Sequence, residues 1–145
     1  MRGLALVAVL ASPSAAADLG SPGQTPYLVI VNAEHPGGVV SRAVLADIFL
    51  KRATRWTDGG PIEVVEQSIE SEVRGEFCRD ALSLTPRAVM AYWQEQLRNG
   101  GARPPFVKGS DAEVLEHVSS HPGAIGYVRA ETPIPGAVRV LQVID

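Results

Sequence analysis

The chain has 145 residues, of which 46% are hydrophobic and 20% are charged, and its formal net charge is −3. This length suits one domain with its own hydrophobic core and is too short for two ordinary domains. The mildly acidic balance and the scattered basic residues exclude the concentrated basic surface that nucleic-acid-binding proteins use. We therefore expect one globular domain without a nucleic-acid partner.

The first residues of the chain have the organisation of a secretory signal peptide. Arg2 is followed by an apolar run at residues 4–10 and then by small residues that end in alanines at 15–17. A charged start, a short apolar stretch and an A-x-A site are the three parts of such a signal. The apolar run is far shorter than the roughly 20 residues that span a bilayer. We predict a signal peptide over residues 1–17.

This prediction sets the organisation and the location of the rest of the chain. Residues 18–26 are punctuated by glycine and proline, which is typical of a flexible linker. Pro13 and this linker disfavour the alternative, in which the apolar run is a short core helix. The remaining domain, residues 27–145, is expected in the periplasm, with no membrane span. Because Cys78 is the single cysteine, no intrachain disulfide can form and the core must hold the domain together.

Hydrophobic patterns predict alternating strands and helices from Tyr27 onward. Residues 27–31 are a continuous apolar run rich in β-branched side chains, which indicates a strand buried on both faces. Ser41 is expected to cap a helix over 42–50, with an apolar face formed by Val44, Leu45, Ile48 and Phe49. A glycine-rich turn leads into a second strand at 62–65. Ser71 is a candidate N-cap for the next helix, whose buried stripe is formed by Val73, Phe77, Ala81 and Leu84.

The second half of the chain continues this alternation. Thr85 and Pro86 open a helix whose predicted core stripe is Val89, Trp93 and Leu97. Residues 104–107 are predicted to be extended, and a capping box at 110–113 opens a further helix with apolar residues Val114, Leu115 and Val118. Two strands at 124–128 and 138–143 end the chain. This order predicts an α/β fold with a small mixed sheet flanked by helices.

The candidate metal-binding and catalytic residues do not form a known motif. His117 and His121 are four residues apart, but Pro122 places the second at a helix end, so we interpret both as surface histidines and expect no metal site. Cys78 lies beside the apolar stripe and is interpreted as a packed, inert thiol. The paired acids are interpreted as ordinary surface residues: Glu63 with Glu66, and Glu70 with Glu72. We therefore expect no catalytic residue, no enzymatic activity and no cofactor.

Anion binding is the function that the residues favour most. Residues 67–74 follow a predicted strand and open a helix, whose N-terminus presents free N–H groups and a partial positive charge. Ser68 and Ser71 offer hydroxyl groups, and Arg74 offers a forked guanidinium. The alternative is a plain capped helix in which Ser71 bonds to its own backbone and Arg74 pairs with Glu70. We name Ser68, Ser71 and Arg74 as the candidate ligand-binding residues.

Several segments resemble the PstS-type phosphate-binding proteins of ABC uptake systems. The matching segments are 46–52 (ADIFLKR), 56–59 (WTDG), the helix start at 71–77, the Tyr92-Trp93 pair, 114–118 (VLEHV) and 122–128 (PGAIGYV). They occur in the family's order and extend from about Tyr27 to Val128. The resemblance implies a single lobe of a type II periplasmic-binding-protein fold. In the family, phosphate lies between two lobes and is held by helix N-termini, hydroxyls and an arginine.

The resemblance also shows where this chain departs from the family's phosphate motif. When the two are aligned on Phe77, Ser71 matches the motif serine, whereas Glu72 and Val73 replace its glycine and threonine. Gln67 stands where the family has its arginine. Two hypotheses follow. The first is a solute-binding domain for phosphate or another small oxyanion, working with an ABC permease. The second is a non-catalytic interaction module with a degenerate anion site that binds an envelope protein.

Overall fold

Residues 25–145, which are those that the computed structural model describes, form a mixed sheet flanked by helices. The strands are β1 (Tyr27–Asn32), β2 (Val39–Ser41), β3 (Glu63–Gln67), β4 (Phe106–Lys108), β5 (Ala124–Arg129) and β6 (Val138–Ile144). The helices are α1 (Arg42–Phe49), α2 (Glu72–Phe77), α3 (Pro86–Arg98) and α4 (Asp111–Ser120), and a π-helical segment (Cys78–Leu82) continues α2. The predicted signal peptide, and the predicted linker up to residue 24, lie outside the described residues. Within the described residues, no helix is long and apolar enough to cross a membrane.

The six strands lie in the order β2-β6-β1-β5-β3-β4. β1 runs antiparallel to both of its neighbours, β5 and β6. β3 runs parallel to β5 on one side and to β4 on the other. The predicted class, an α/β fold with a small mixed sheet flanked by helices, is confirmed. The parallel pair β3 and β4 matters for function, because both strands end at the same edge of the sheet.

Two hydrophobic clusters cover the two faces of the sheet. Tyr27, Val29 and Val31 point into one cluster, which packs under α1, α2 and α3. Ile30 points into the other, which packs under α4. Because successive strand residues face opposite sides of a sheet, this alternation means that β1 is buried on both faces, as its sequence predicts.

Local features of the helices agree with the sequence, whereas the extent of their buried faces does not. Ser41, Thr85 and Ser110 each accept a first-turn N–H and cap α1, α3 and α4. Val44 and Leu97, which were predicted to be core residues, are 47% and 55% exposed. Val44 lies at the solvent side of a helix only eight residues long, and Leu97 lies in the last turn of α3, beyond the buried Val89 and Trp93.

Cys78 is buried, as the sequence predicts. Burial, and to a smaller degree the neighbouring Glu66 carboxylate, raises the pKa of its thiol to about 11. Because the thiolate is the reactive form, a rise of this size from 9.0 reduces the thiolate fraction at pH 8 roughly 100-fold, before any loss of access. A thiol reagent is therefore expected to label the native protein at least about 100-fold more slowly than the protein in denaturant. Equal rates in the two conditions would show that the thiol is accessible.

Candidate functional site

A polar groove lies where the parallel strands β3 and β4 end. The two strands end at Gln67 and Lys108, and each is followed by the start of a helix, α2 or α4. The Ser68 N–H donates to the Lys108 carbonyl over 3.0 Å and holds the two connecting loops together. The groove has a volume of about 610 Å³ and is lined by Gln67, Ser68, Glu70, Ser71, Glu72, Gly109, Ser110, Asp111, Ala112 and Arg129. In α/β sheets, ligands bind beyond the carboxyl ends of strands, which is where this groove lies.

The loop before α2 brings two of the predicted ligand residues to the groove. The Ser71 N–H donates to the Ser68 carbonyl over 2.9 Å, which closes a tight turn. Ser71 occupies the N-cap position in an extended conformation, but its side chain makes no capping hydrogen bond. Its hydroxyl instead donates to Oε1 of Gln67 over 3.1 Å. The first N–H groups of α2 therefore lack the partner that a serine N-cap usually supplies.

The start of α4 forms the opposite wall of the groove. The hydroxyl of Ser110 accepts the Glu113 N–H, and the Glu113 carboxylate accepts the Gly109 N–H over 2.7 Å. This is a variant of the capping box that the sequence predicts, because the carboxylate accepts the N–H one residue before the N-cap Ser110. Two helix N-termini, each with a partial positive charge, thus face one groove from neighbouring parallel strands.

Gln67 connects the elements around the groove. Its side chain is 2% exposed, and its amide donates to Asp111 over 2.8 Å and to the Tyr127 carbonyl over 3.0 Å. Asp111 also accepts the Arg129 N–H over 3.3 Å. Gln67, Asp111 and Arg129 were not predicted as site residues. The one sequence feature that pointed to Gln67 is that it aligns with the arginine of the family motif.

The structure does not bring Arg74 to the groove. The side chain is 6% exposed and lies beneath α2, where Nη1 donates to the Gln67 carbonyl over 2.8 Å. Its Nε has no hydrogen-bond partner among residues 25–145. The predicted alternative, in which Arg74 pairs with Glu70, does not describe this arrangement either, because Nη1 is bonded to the Gln67 carbonyl. The cation at the groove is Arg129, whose Nε lies 3.6 Å from Asp111.

The charges at the groove oppose those of the helix ends. Its lining contains three carboxylates, from Glu70, Glu72 and Asp111, and one guanidinium, from Arg129. Asp111 is engaged by Gln67 and Arg129, whereas Glu70 and Glu72 are exposed. Glu72 in particular begins α2, where its carboxylate competes with any other anion for the same helix end.

The acidic residues that the sequence treated as one surface class occupy two different environments. Glu66 is 2% exposed and accepts a hydrogen bond from the Tyr127 hydroxyl, so its assignment as a surface acid was wrong. Burial raises the pKa of the Glu66 carboxyl, while the Arg74 charge and the hydrogen bond from Tyr127 lower it.

A second cluster of titratable side chains lies away from the groove. Glu63 lies beside His117 and His121, and the donor atoms of these three residues are within 4.8 Å of one another.

Comparison with known proteins finds similar structures but no match by family model or among curated proteins. A phosphate ABC transporter substrate-binding protein with bound phosphate from Clostridium perfringens superposes with a TM-score of 0.66 at 16% identity, over 83% of this chain and 46% of that one. PstS from Borrelia burgdorferi gives a TM-score of 0.64 at 19% identity, over 82% and 47%. An ABC-type phosphate transport receptor from Vibrio cholerae gives 0.61 at 16%, over 82% and 46%.

These similarities are too distant in sequence to show more than the fold. The chain spans less than half the length of the three proteins, which is the proportion expected for one of two lobes. The sheet flanked by helices, the partial coverage and the TM-scores agree with the single lobe that the sequence resemblance implies. The chain therefore has the fold of one lobe of a periplasmic-binding-protein-like protein.

Proposed function

We propose that this chain is an exported solute-binding-like domain that binds phosphate or another small oxyanion for an ABC uptake system. The observation that carries this proposal is the convergence of the N-termini of α2 and α4 on one polar groove at the carboxyl ends of β3 and β4. Helix N-termini favour anions because their N–H groups lack partners and their dipoles are positive. One of the structural neighbours holds a phosphate. No catalytic role is proposed.

Ser68 and Ser71 are the proposed ligand residues that line the groove, and Arg129 is the guanidinium next to them. Arg74 acts one layer below, by fixing the Gln67 carbonyl at the end of β3. This modifies the role that the sequence suggested for Arg74, because a buried guanidinium cannot contact an anion in the groove without leaving its pocket. The hydroxyl of Ser71 is available once it releases the side chain of Gln67.

Affinity in this groove is expected to be low. Two or three charge-assisted hydrogen bonds contribute about 1.5–3 kcal/mol each, and a Kd of about 1 mM corresponds to roughly 4 kcal/mol. The open groove leaves the bound anion in contact with water, and Glu70 and Glu72 repel it. A high micromolar to millimolar Kd is therefore expected.

The proposal is tested by titrating the protein with phosphate, sulfate and a simple carboxylate. Glu72→Gly removes a carboxylate at the start of α2 and restores the family's glycine, and is expected to strengthen binding about 2–5-fold, equivalent to roughly 0.4–1 kcal/mol. Ser71→Ala is expected to weaken binding. Glu116→Gln removes an exposed carboxylate outside the groove and serves as the control. Added salt is expected to weaken binding by all variants.

The readouts are heat by calorimetry and backbone chemical shifts near Ser71. No heat and no shift at about 10–20 mM of any anion would contradict anion binding, because about 10 mM corresponds to less than roughly 3 kcal/mol. An equal gain in affinity for Glu72→Gly and Glu116→Gln would contradict the groove as the site.

A second function is favoured by the composition of the groove and by the sheet edge beside it. Three carboxylates line the groove, and the adjacent edge strand β4 exposes Phe106 and Val107, at 57% and 56%. An unprotected edge strand with apolar side chains can pair with another chain. If anions do not bind, the better description of this domain is an interaction module for an envelope protein or an ABC permease.

A further inference from the structure

We propose that Glu63, His117 and His121 form a zinc-binding site at the end of α4 opposite the oxyanion groove. The two histidines lie one turn apart at the C-terminal end of α4, and Glu63 begins β3. Their donor atoms all lie within 4.8 Å of one another. Two imidazoles and one carboxylate are a donor set typical of zinc sites that keep a fourth position open. The sequence led us to interpret both histidines as surface residues, but the His117 side chain is only 11% exposed. Glu63 is 54 positions from His117, and only the β3–α4 packing brings them together.

The contact between Glu63 and His117 has the geometry of two ligands of one ion. Nε2 of His117 lies 3.3 Å from Oε2 of Glu63. That nitrogen is buried and has no hydrogen-bond partner among residues 25–145. Two ligand atoms on a tetrahedral zinc ion, with bonds of about 2.0–2.2 Å, lie about 3.3–3.6 Å apart. The carboxylate contact is close but lacks hydrogen-bond alignment, and a metal ion bound to both atoms would give the His117 nitrogen an aligned partner.

His121 is held in the tautomer that a metal requires. Its Nδ1 lies 2.7 Å from the His117 carbonyl, and because a carbonyl can only accept, Nδ1 donates this hydrogen bond. In the neutral ring, Nε2 then carries the free lone pair. Metal-binding histidines commonly donate their second nitrogen to a carbonyl in this way. The two imidazole rings stack with centroids 3.9 Å apart and an interplanar angle of 6°, so their in-plane lone pairs are parallel, and the His121 ring has to turn for both histidines to bind one ion.

The surroundings of the three residues favour a cation and leave room for a further ligand. The last carbonyl groups of α4 carry the negative end of the helix dipole. Glu63 and His121 line an open hollow of about 460 Å³, which gives water or a partner's side chain access to the fourth position. Lys51 lines the same hollow, and its positive charge partly offsets the attraction of the helix end for a cation. His121 is exposed, so its ring can rotate to adjust the remaining distances.

The site is tested with the untagged full chain and zinc chloride, by calorimetry and thermal unfolding. We expect one zinc ion per chain and a rise in the unfolding temperature, with no such effect from magnesium, which prefers oxygen ligands. His121→Gln and Glu63→Gln are each expected to weaken zinc binding at least about tenfold. His35→Gln removes the histidine that lies elsewhere, against Trp56, and is expected to bind zinc as the unmodified protein does.

Circular dichroism of each variant in the absence of metal checks folding, and the exposed position of His121 makes its variant the safest to interpret. Absence of zinc binding by the unmodified chain at about 100 μM metal would overturn the proposal; that concentration corresponds to roughly 5.5 kcal/mol of binding. Unchanged affinity in either His121→Gln or Glu63→Gln would overturn the three-ligand site. These outcomes are independent of phosphate binding, because the two sites share no residue.

Discussion

Trp93→Ala is expected to lower the free energy of unfolding by about 3–5 kcal/mol, the usual cost of truncating a buried aromatic side chain. Trp93 is 5% exposed and belongs to the cluster beneath α1, α2 and α3. Its neighbour Tyr92 packs edge-on against it at 4.9 Å and donates a hydrogen bond of 2.7 Å to the Leu50 carbonyl. Trp93 therefore anchors α3 in this cluster, beside the π-helical segment, and its removal leaves a cavity that the surrounding elements cannot close without moving.

The chain offers a control for this prediction on the same helix. Leu97 lies one turn after Trp93 but is 55% exposed, so Leu97→Ala is expected to cost less than about 1 kcal/mol. Urea unfolding of both variants, followed by circular dichroism at constant pH, measures the two values. A similar cost for the two substitutions would show that α3 presents a different face to the core.

The difference between Trp93 and Leu97 illustrates what the sequence could and could not predict. Periodicity identified α3, its capping Thr85 and the direction of its apolar stripe, because all of these depend on residues within one or two turns. The point along α3 at which its apolar stripe ceases to be buried depends on where the elements packed against α3 end. That boundary is set by contacts with elements distant along the chain, such as the π-helical segment, which no local pattern encodes.

The residues of the candidate groove also fall into two groups, those that local sequence patterns predict and those that only distant contacts bring together. Ser71 and the capping box at 110–113 were predicted because helix starts have local sequence signatures. Gln67, by contrast, joins residues 44 and 60 positions away, and only the pairing of β3 with β4 and β5 brings them together. The short strand β2 was also missed, since three residues carry too little periodicity to separate a strand from a loop.

Arg74 was predicted to bind the ligand because it lies three residues after Ser71, where its long forked guanidinium could reach the helix start. Its actual direction is explained by Glu66, which β3 places in the interior with 2% exposure. A buried carboxylate is costly unless opposite charge and hydrogen bonds accompany it. The Arg74 charge, the Tyr127 hydroxyl and the Gln67 N–H provide these, and each lowers the pKa of Glu66 against the larger effect of burial.

Arg74→Met is therefore expected to lower the free energy of unfolding by about 3–5 kcal/mol at neutral pH, the cost of leaving a buried charge without its partner. The Gln67 carbonyl also loses the hydrogen bond from Nη1. Arg79→Met is the control, because Arg79 is exposed and close in sequence, and its loss is expected to change stability by no more than about 0.5 kcal/mol.

The pH dependence and a double variant separate the charge effect from the loss of packing. Burial raises the folded-state pKa of Glu66 above its value of 4.5 in the unfolded chain, so the folded protein is destabilised as pH rises from 4.5 through the folded-state pKa. Removing Arg74 raises the pKa of Glu66 further, so the cost of Arg74→Met is expected to be smallest near pH 4.5 and to grow towards neutral pH.

Adding Glu66→Gln to Arg74→Met removes the titrating carboxyl while keeping an oxygen that can accept the hydrogen bond from Tyr127. The double variant is therefore expected to recover more than half of the loss at pH 7 and to show a flatter pH profile. A cost of Arg74→Met that is independent of pH and unrelieved by Glu66→Gln would show that Arg74 acts through its hydrogen bond to Gln67 and its packing alone.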